Sequence, residues 1–164
     1  MIKDSGERRQ FYDSEGNPMG VRDIQTGKGR CDLMPLDAVA VIMKDYCLDR
    51  VAQFKETGDP RFLHNALSEF AKTDYCESLA DMFLEVSKHF EEGHKKYPPA
   101  EDGTPNWQLG IPCNCYIDSA VRHYLKHRRG DDDEPHSRAF VWNLLACGWT
   151  AINKPELNTY AKAD

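Results

Sequence analysis

Residues 134–152 read EPHSRAFVWNLLACGWTAI, and this stretch decides the class of fold. Pro135 suits the first turn of a helix, because the backbone N–H that proline lacks has no helical partner there. The residues that follow are apolar on most sides of a helix, and a helix of that kind is buried. We therefore predict a central helix here, with other helices packed around it.

Four further stretches place apolar residues at intervals of three and four, the spacing of an amphipathic helix. They lie at 36–51, 62–72, 77–96 and 116–129, and Gly130 stops the last of them. No stretch alternates convincingly between apolar and polar residues, as a half-buried strand does. The sequence predicts an all-α fold, a helical bundle of four to five helices.

The length of 164 residues fits one compact domain with a core and is too short for two comfortable ones. Residues 1–30 carry Gly, Ser, Asp and Asn with little periodicity, which predicts an extended N-terminal arm or loop. All the helical stretches lie in residues 31–164, which we expect to form a single helical domain.

The formal net charge of −6 argues against binding to a nucleic-acid polymer, which requires clustered positive charge. The first ten residues lack the apolar segment of a signal peptide, and no stretch approaches the roughly 20 apolar residues of a membrane-spanning helix. We therefore expect a cytoplasmic protein with reduced thiols and no membrane partner. Cys113 and Cys115 lie too close together for the usual zinc knuckle, so we do not expect them to bind zinc.

Residues 131–134 are four consecutive acids, DDDE, directly before Pro135. Acids in this position complement the positive end of the helix dipole, which explains one or two of them. Four are more than capping needs, and like charges at one helix end repel each other. A bound cation would relieve that repulsion, so the run is a candidate metal site.

A second polar group lies on one face of the third helical stretch. Glu85, His89, Glu92 and Lys96 recur at helical spacing opposite the apolar side, and Glu91 lies beside them. Such a face is often only solvated, with ion pairs four residues apart. Carboxylates at this spacing also present oxygen ligands to Mg²⁺ or Mn²⁺ in helical bundles. The spacing leaves both interpretations open.

Other polar and aromatic residues also have two interpretations. Asn143 lies in the most apolar helix, seven residues after His136 and on the same face, so it bonds a neighbouring helix or belongs to a polar site. Asp118 and Arg122 form either an ordinary helix pair or a phosphate-binding group. Trp107 is either a hydrophobic plug or a platform for a base. No nucleophile motif and no Gly-rich phosphate loop is found, which favours chemistry by metal-activated water.

Five stretches together resemble a known family. They read GVRDIQTGKGRCDLMPLDAV, FEEGHKKY, NWQLGIP, YIDSAVRHYLKHRRGDDDEPH and AFVWNLL. In this order they are similar to small phage and bacterial dATP/dGTP diphosphohydrolases, which belong with the all-α, MazG-like nucleoside triphosphate pyrophosphohydrolases. The resemblance covers residues 20–45 and 89–150. Residues 46–80 look like an insertion relative to short members, and the paired acidic helix motif of the wider superfamily is not intact.

The resemblance implies hydrolysis of a deoxynucleoside triphosphate, dATP or dGTP, to the monophosphate and pyrophosphate, with Mg²⁺ or Mn²⁺ as cofactor. On this interpretation the metal ligands come from five acids: Glu91, Glu92, Asp118, Asp131 and Glu134. The residues expected to act in catalysis are Glu91, Glu92, His123 and His136, the histidines orienting a ligand or the water. The residues expected to bind substrate are Lys95, Lys96, Asn106, Trp107, Arg122 and Asn143.

Family relatives associate through helices, and the chain has more large apolar residues than one small bundle easily hides. The residues behind this expectation are Phe140, Trp142, Leu145 and Trp149. We therefore expect a homo-oligomer, a dimer or tetramer.

Two other functions remain open. One is a non-enzymatic helical phage accessory protein that binds a basic partner through its acidic face. The other is an HD-type phosphohydrolase, which would release triphosphate or phosphate. The HD type needs a His-Asp pair, and the sequence has no His-Asp dipeptide.

Overall fold

The computed structural model describes residues 7–24 and 27–162. Their elements, in chain order, are β1 (Glu7–Tyr12), β2 (Pro18–Ile24), a 3-10 turn (Cys31–Leu33), α1 (Leu36–Met43), α2 (Tyr46–Thr57), α3 (Arg61–Asp74), α4 (Leu79–Lys96), α5 (Asn106–Leu109), α6 (Cys113–Arg129), α7 (His136–Asn153) and a second 3-10 turn (Pro155–Leu157). The predicted helical fold is confirmed, since the described residues form mainly helices with one two-stranded sheet. None of the described helices has the length and apolar character needed to cross a membrane.

Helix α7 is the central helix, as the apolar stretch predicts. Phe140 and Leu144 are fully buried, and α7 packs against α6, α4 and α3. Helix α6 runs antiparallel to α7, because Cys113 at its start lies beside Cys147 near the end of α7. Gly130 ends α6 with a left-handed φ of 88°, a conformation that glycine adopts without steric cost. Helices α6 and α7 are thus joined by only a short connection.

Five of these helices are twelve residues or longer, namely α2, α3, α4, α6 and α7, which agrees with the predicted four to five. The stretch predicted as one helix over 36–51 is divided in two. Lys44 has a left-handed φ of 52° and ends α1. The side chain of Asp45 then caps α2 by accepting a 2.9 Å hydrogen bond from the N–H of Leu48.

The described part of residues 1–30 contains an antiparallel hairpin of β1 and β2, where we predicted an arm or loop without strands. Residues 1–6 and 25–26 of that prediction lie outside the described residues. The hairpin lies against α5, and the N–H of Gly20 donates to the carbonyl of Gly110 at 2.9 Å. A Cβ at residue 20 would lie 2.8 Å from Cγ1 of Ile111, so glycine permits this close contact.

The apolar residues that suggested a partner subunit are covered within one chain. Phe140 is fully buried, while Trp142, Leu145 and Trp149 are partly buried. The exposed large apolar side chains lie elsewhere, and four of them surround the α1–α2 junction: Val41, Ile42, Met43 and Tyr46. These four residues are therefore not themselves an exposed apolar surface, and the oligomer stays a prediction.

Candidate active site

A cavity of about 520 Å³ opens where the hairpin meets helices α4, α5, α6 and α7. The hairpin packs on the single-turn helix α5, and residues 21–24 of β2 line the cavity. Eight predicted site residues line it: Lys96, Asn106, Trp107, Asp118, Arg122, His123, Glu134 and Asn143. His136 contacts His123 directly. The structure thus brings together residues that are widely separated in the sequence.

Asn106 holds the hairpin to the helical body. Its Oδ1 accepts a hydrogen bond from the N–H of Val21, and its Nδ2 donates to the carbonyl of Val21, both at 2.8 Å. Trp107 beside it packs edge-on against Phe90 and Trp149, with ring centroids 5.6 and 5.0 Å apart. The Asn-Trp pair therefore fixes the cavity wall, and Trp107 also contributes an aromatic surface to it.

Asp118 and Arg122 form a largely buried ion pair that also holds the segment before α1. Arg122 donates from Nη2 to both carboxylate oxygens of Asp118, at 2.8 and 2.7 Å, and to the carbonyl of Gly29 at 2.9 Å. Asp118 accepts a further hydrogen bond from the N–H of Cys31 at 2.7 Å. The pair is therefore more than the surface pair that four-residue spacing alone would indicate.

Arg22 is the residue of the cavity that the sequence did not indicate. Its Nη2 donates to Oδ1 of Asn143 at 2.6 Å, and its guanidinium lies over the rings of Tyr116 and Trp142, 5.1 and 5.7 Å from their centroids. The Nδ2 of Asn143 donates to the carbonyl of Ala139 at 2.8 Å. The buried amide of Asn143 therefore belongs to a polar site and orients Arg22.

The cavity wall carries more positive than negative side chains among the described residues. The basic ones are Arg9, Arg22, Arg30, Lys96 and Arg122, and the acidic ones are Asp23, Asp118 and Glu134. Lys96 pairs with Asp23 at 2.7 Å, and both side chains are largely buried. Charges act more strongly across such a poorly solvated space than in water. The arrangement suits a small ligand with several negative charges.

At one end of the cavity, His123, Glu134 and His136 bring three metal-ligand atoms together. The Nδ1 atoms of His123 and His136 are 2.9 Å apart. Oε1 of Glu134 lies 3.7 Å from Nδ1 of His123 and 3.6 Å from Nδ1 of His136. Nε2 of His136 lies 2.8 Å from Oδ1 of Asp133, which favours a proton on Nε2 and makes Nδ1 the acceptor in its 2.9 Å contact with His123. Nitrogen and carboxylate oxygen in this arrangement can hold a divalent metal ion.

Two histidines of the cavity are held in the neutral form. Burial, and then the neighbouring His136, lower the pKa of His123 to about 3. Burial, and then the charge of Arg138, lower the pKa of His89 to about 4, although Glu92 opposes the shift. At neutral pH both imidazoles are uncharged, which is the form that binds a metal or accepts a proton.

The remaining predicted residues, Glu91, Glu92, Lys95 and Asp131, do not line the cavity. Glu91 and Lys95 form an exposed pair at 2.6 Å on the outer side of α4. Glu92 accepts a hydrogen bond from Arg138 at 2.9 Å. Asp131 pairs with Arg129, and it joins Asp133 and His136 in a second metal-capable group. The metal-capable groups found among the described residues include neither Glu91 nor Glu92.

The fold and the site define a mainly helical protein with a cationic cavity and a cluster able to hold a metal. A family model described as dATP/dGTP diphosphohydrolase, N-terminal, matches residues 67–160. Because the match spans more than half of the chain, the protein belongs to this family. The match includes α4 to α7 and begins within the stretch 46–80, while β2 lies before it. No curated protein and no solved structure matches the chain.

Proposed function

We propose that the protein hydrolyses dATP and dGTP between the α- and β-phosphates, giving the monophosphate and pyrophosphate with the help of Mg²⁺ or Mn²⁺. The observation that carries this proposal is the position of the cationic cavity directly beside the cluster of His123, Glu134 and His136. The family name supplies the substrate and the type of reaction.

The basic residues of the cavity account for binding of the triphosphate. Arg22 and Arg122 present guanidinium groups, which bind phosphate oxygens through two parallel N–H donors. Lys96 adds a point charge on the opposite helix, α4. Both arginines are already held in place, Arg22 by Asn143 and Arg122 by Asp118. Little side-chain entropy is therefore lost when the phosphates bind.

The cluster of His123, Glu134 and His136 fits a divalent ion by its donor atoms. A bound ion would polarise a phosphoryl oxygen and lower the pKa of a water molecule. Glu134 contributes the negative charge, and Asp133 orients His136. We propose Glu134 as the principal metal-site acid of the run 131–134, with Asp131 beside it in the second group.

The aromatic residues lie away from this cluster, at the place where a base would fit. Asn143 follows His136 by seven residues on α7, which places it about 10 Å farther along the helix axis. Trp107 and Trp142 line this part of the cavity. A nucleotide with its phosphates between the arginines and its base against these rings would span the cavity. We propose Trp107 as a surface for the base and Asn106 as the residue that holds the wall behind it.

The proposal extends to the setting of the reaction. We propose a cytoplasmic enzyme, in the host cytoplasm if the gene is carried by a phage, acting on free deoxynucleotides rather than on a nucleic-acid polymer or a membrane. We still propose a role in the site for Glu91, Glu92 and Lys95. The Glu91→Gln variant described below tests this role.

Product analysis tests the proposed reaction. The four deoxynucleoside triphosphates are incubated with the protein and Mg²⁺ or Mn²⁺, and the products are separated by ion-exchange chromatography. We expect dAMP, dGMP and pyrophosphate, with slower turnover of the pyrimidine substrates. Nucleoside with inorganic triphosphate would instead indicate the HD-type reaction. No turnover of any substrate would favour the accessory binding protein.

A pair of variants from the same acidic run provides the control. Glu134→Gln removes the charge at the cluster, whereas Asp132→Asn removes a charge at an exposed neighbouring position. We expect the first to reduce turnover by about a hundredfold or more, as loss of a preorganised electrostatic group does. The second should leave turnover nearly unchanged.

A further inference from the structure

We propose that His123, Glu134 and His136 form a preformed site for one divalent transition-metal ion that takes imidazole nitrogen as a ligand. Such ions include Mn²⁺, Fe²⁺, Co²⁺ and Zn²⁺, and we expect the site to bind them in preference to Mg²⁺. The inference specifies the metal of the proposed function, and it rests on that function for the role of the ion in hydrolysis. Its tests measure binding of the ion and do not depend on turnover.

The first support is the spacing of the three donor atoms. The two Nδ1 atoms and Oε1 of Glu134 form a triangle with edges of 2.9, 3.7 and 3.6 Å. The centre of that triangle lies about 2.0 Å from each corner, which is the length of bonds from Zn²⁺ to imidazole nitrogen and carboxylate oxygen. An ion near this point would therefore need little movement of its ligands.

The second support is the hydrogen bond between His136 and Asp133. A histidine that binds a metal typically donates its other ring N–H to a carboxylate, which fixes the ring and the tautomer. Here Nε2 of His136 lies 2.8 Å from Oδ1 of Asp133, and Nδ1 is directed at His123 and Glu134. The side chain of His136 is only 1% exposed, so its ring has little freedom to turn. Asp133 is thus a positioning residue for the site.

The donor types decide the class of ion. Mg²⁺ selects oxygen ligands in an octahedral arrangement and retains several waters, whereas imidazole nitrogen suits Zn²⁺, Fe²⁺ and Co²⁺. Mn²⁺ binds most weakly of the transition series and serves here as its spectroscopic member. Two of the three donors here are imidazole nitrogens. Three protein ligands also leave coordination positions for a phosphate oxygen and for water, as in catalytic rather than structural metal sites.

The alternative is a hydrogen bond between the two histidines without any ion. In that case a proton on Nδ1 of one ring fills the 2.9 Å gap to the other ring. Binding of an ion requires both Nδ1 lone pairs, so the proton must move to the other ring nitrogen of the same histidine. The two arrangements therefore exclude each other, and added metal distinguishes them.

Metal binding to chelator-treated protein gives the direct test. Calorimetric titrations with MnCl₂, CoCl₂ and MgCl₂ should show one site per chain, with Mn²⁺ and Co²⁺ bound at least about tenfold more tightly than Mg²⁺. Pulsed electron paramagnetic resonance of the Mn²⁺ form should detect coupling to imidazole ¹⁴N. Equal affinity for Mg²⁺, or a Mn²⁺ spectrum without ¹⁴N coupling, would overturn the proposal.

Variants assign the site to these residues. His123→Gln should abolish the ¹⁴N coupling from one ring and weaken Mn²⁺ binding strongly, whereas His64→Gln, an exposed histidine on α3, should change neither. Asp133→Asn should weaken binding about 10- to 100-fold while both ¹⁴N couplings remain. Because His123 and Asp133 are less buried than His136, these variants are expected to fold, which circular dichroism verifies. Unchanged Mn²⁺ affinity in both would refute the assignment.

The outcome is separable from that of the proposed function. Pyrophosphate release supported by Mg²⁺, without imidazole coordination in the Mn²⁺ form, would leave the function standing and remove the inference. Tight Mn²⁺ binding through imidazole, without turnover of any deoxynucleoside triphosphate, would support the inference and remove the proposed function.

Discussion

Asn106 and Val21 are 85 residues apart in the chain and share two hydrogen bonds of 2.8 Å, one in each direction between side-chain amide and backbone. The backbone N–H and carbonyl of Val21 thus bond the side-chain amide of Asn106 as they would bond the backbone of a neighbouring β-strand. The next residue, Arg22, reaches Asn143 in the cavity. A side chain of α5 thus helps to hold the strand whose arginine reaches into the cavity.

Asn106→Ala tests this relationship. It removes both hydrogen bonds and leaves the backbone groups of Val21 without their partner, which should cost about 1–3 kcal/mol of stability. We expect faster amide exchange in the hairpin and a raised KM for the triphosphate, because Arg22 is no longer held. Asn153→Ala, which removes an exposed hydrogen bond within α7, is the control. An unchanged KM would show that the hairpin is held by other contacts.

Thermal stability in the presence of Mn²⁺ distinguishes the acids that bind the proposed metal from those that do not. The ion binds only the folded chain, so it should raise the melting temperature of the wild type. Glu134→Gln should remove most of that increase, because the acid contributes both a ligand and a charge to the cluster. Glu91→Gln is the matched comparison, since the sequence predicts Glu91 as a ligand and the structure pairs it with Lys95 at an exposed position. A loss of the metal effect in Glu91→Gln would support the sequence prediction.

The stability of the protein should fall as the pH is lowered from about 6.5 towards 4. The pKa of His89 is lowered to about 4 in the folded state by burial and by Arg138, with Glu92 acting in the opposite direction. The unfolded chain therefore binds a proton within this range that the folded chain does not. The stability is fully present above pH 6.5 and is lost by roughly 2–3 kcal/mol as the pH approaches 4.

Urea unfolding at pH 7.5, 6.0 and 5.0 measures this loss. His89→Gln should flatten part of the pH dependence, while His123, whose pKa is lowered in the same direction, maintains the rest. His64→Gln serves as the control, since this histidine is exposed. A variant at position 89 with the same pH dependence as the wild type would contradict the prediction.

A homo-oligomer is still expected, with the apolar residues at the α1–α2 junction as the contact surface. Val41, Ile42 and Tyr46 are 75%, 81% and 74% exposed, so three large apolar side chains within six residues are in contact with water. Light scattering at micromolar concentration should give the mass of a dimer or tetramer. Ile42→Lys should reduce it towards the monomer, whereas Ile152→Lys at the end of α7 should not. A wild-type monomer would end this prediction.

The helices were predictable because their signals are local. The stretch 77–96 becomes α4 (Leu79–Lys96) and the stretch 62–72 becomes α3, since apolar spacing within each segment is sufficient to define the buried face. The division at Lys44 was missed, because nothing in the apolar spacing marks a residue that turns to a left-handed conformation. The hairpin was missed because its strands, ERRQFY and PMGVRDI, are mostly partly exposed and carry charges that hide the alternation.

Site residues were predictable where their surroundings made them unusual. Asn143 was noticeable as an amide within an apolar helix, and in the structure its Oδ1 accepts a hydrogen bond from Arg22. Arg22 itself had no local signal, because its role depends on a hairpin that folds back over 121 residues of sequence. Glu91 shows the reverse case. Its spacing on α4 fits a ligand and an ion pair equally well, and only the packing of the helix decides which face meets the cavity.

The short connection between α6 and α7 also has a consequence for the order of folding. His123 and His136 are 13 residues apart, so the two helices can bring them together by closing a small loop, which is rapid. Arg22 reaches Asn143 only after the chain has closed a loop of 121 residues, and such contacts form slowly. We therefore expect the α6–α7 pair to assemble early and to be able to bind the proposed metal ion before the cavity forms. The metal would then act as a folding ligand during synthesis as well as a cofactor afterwards.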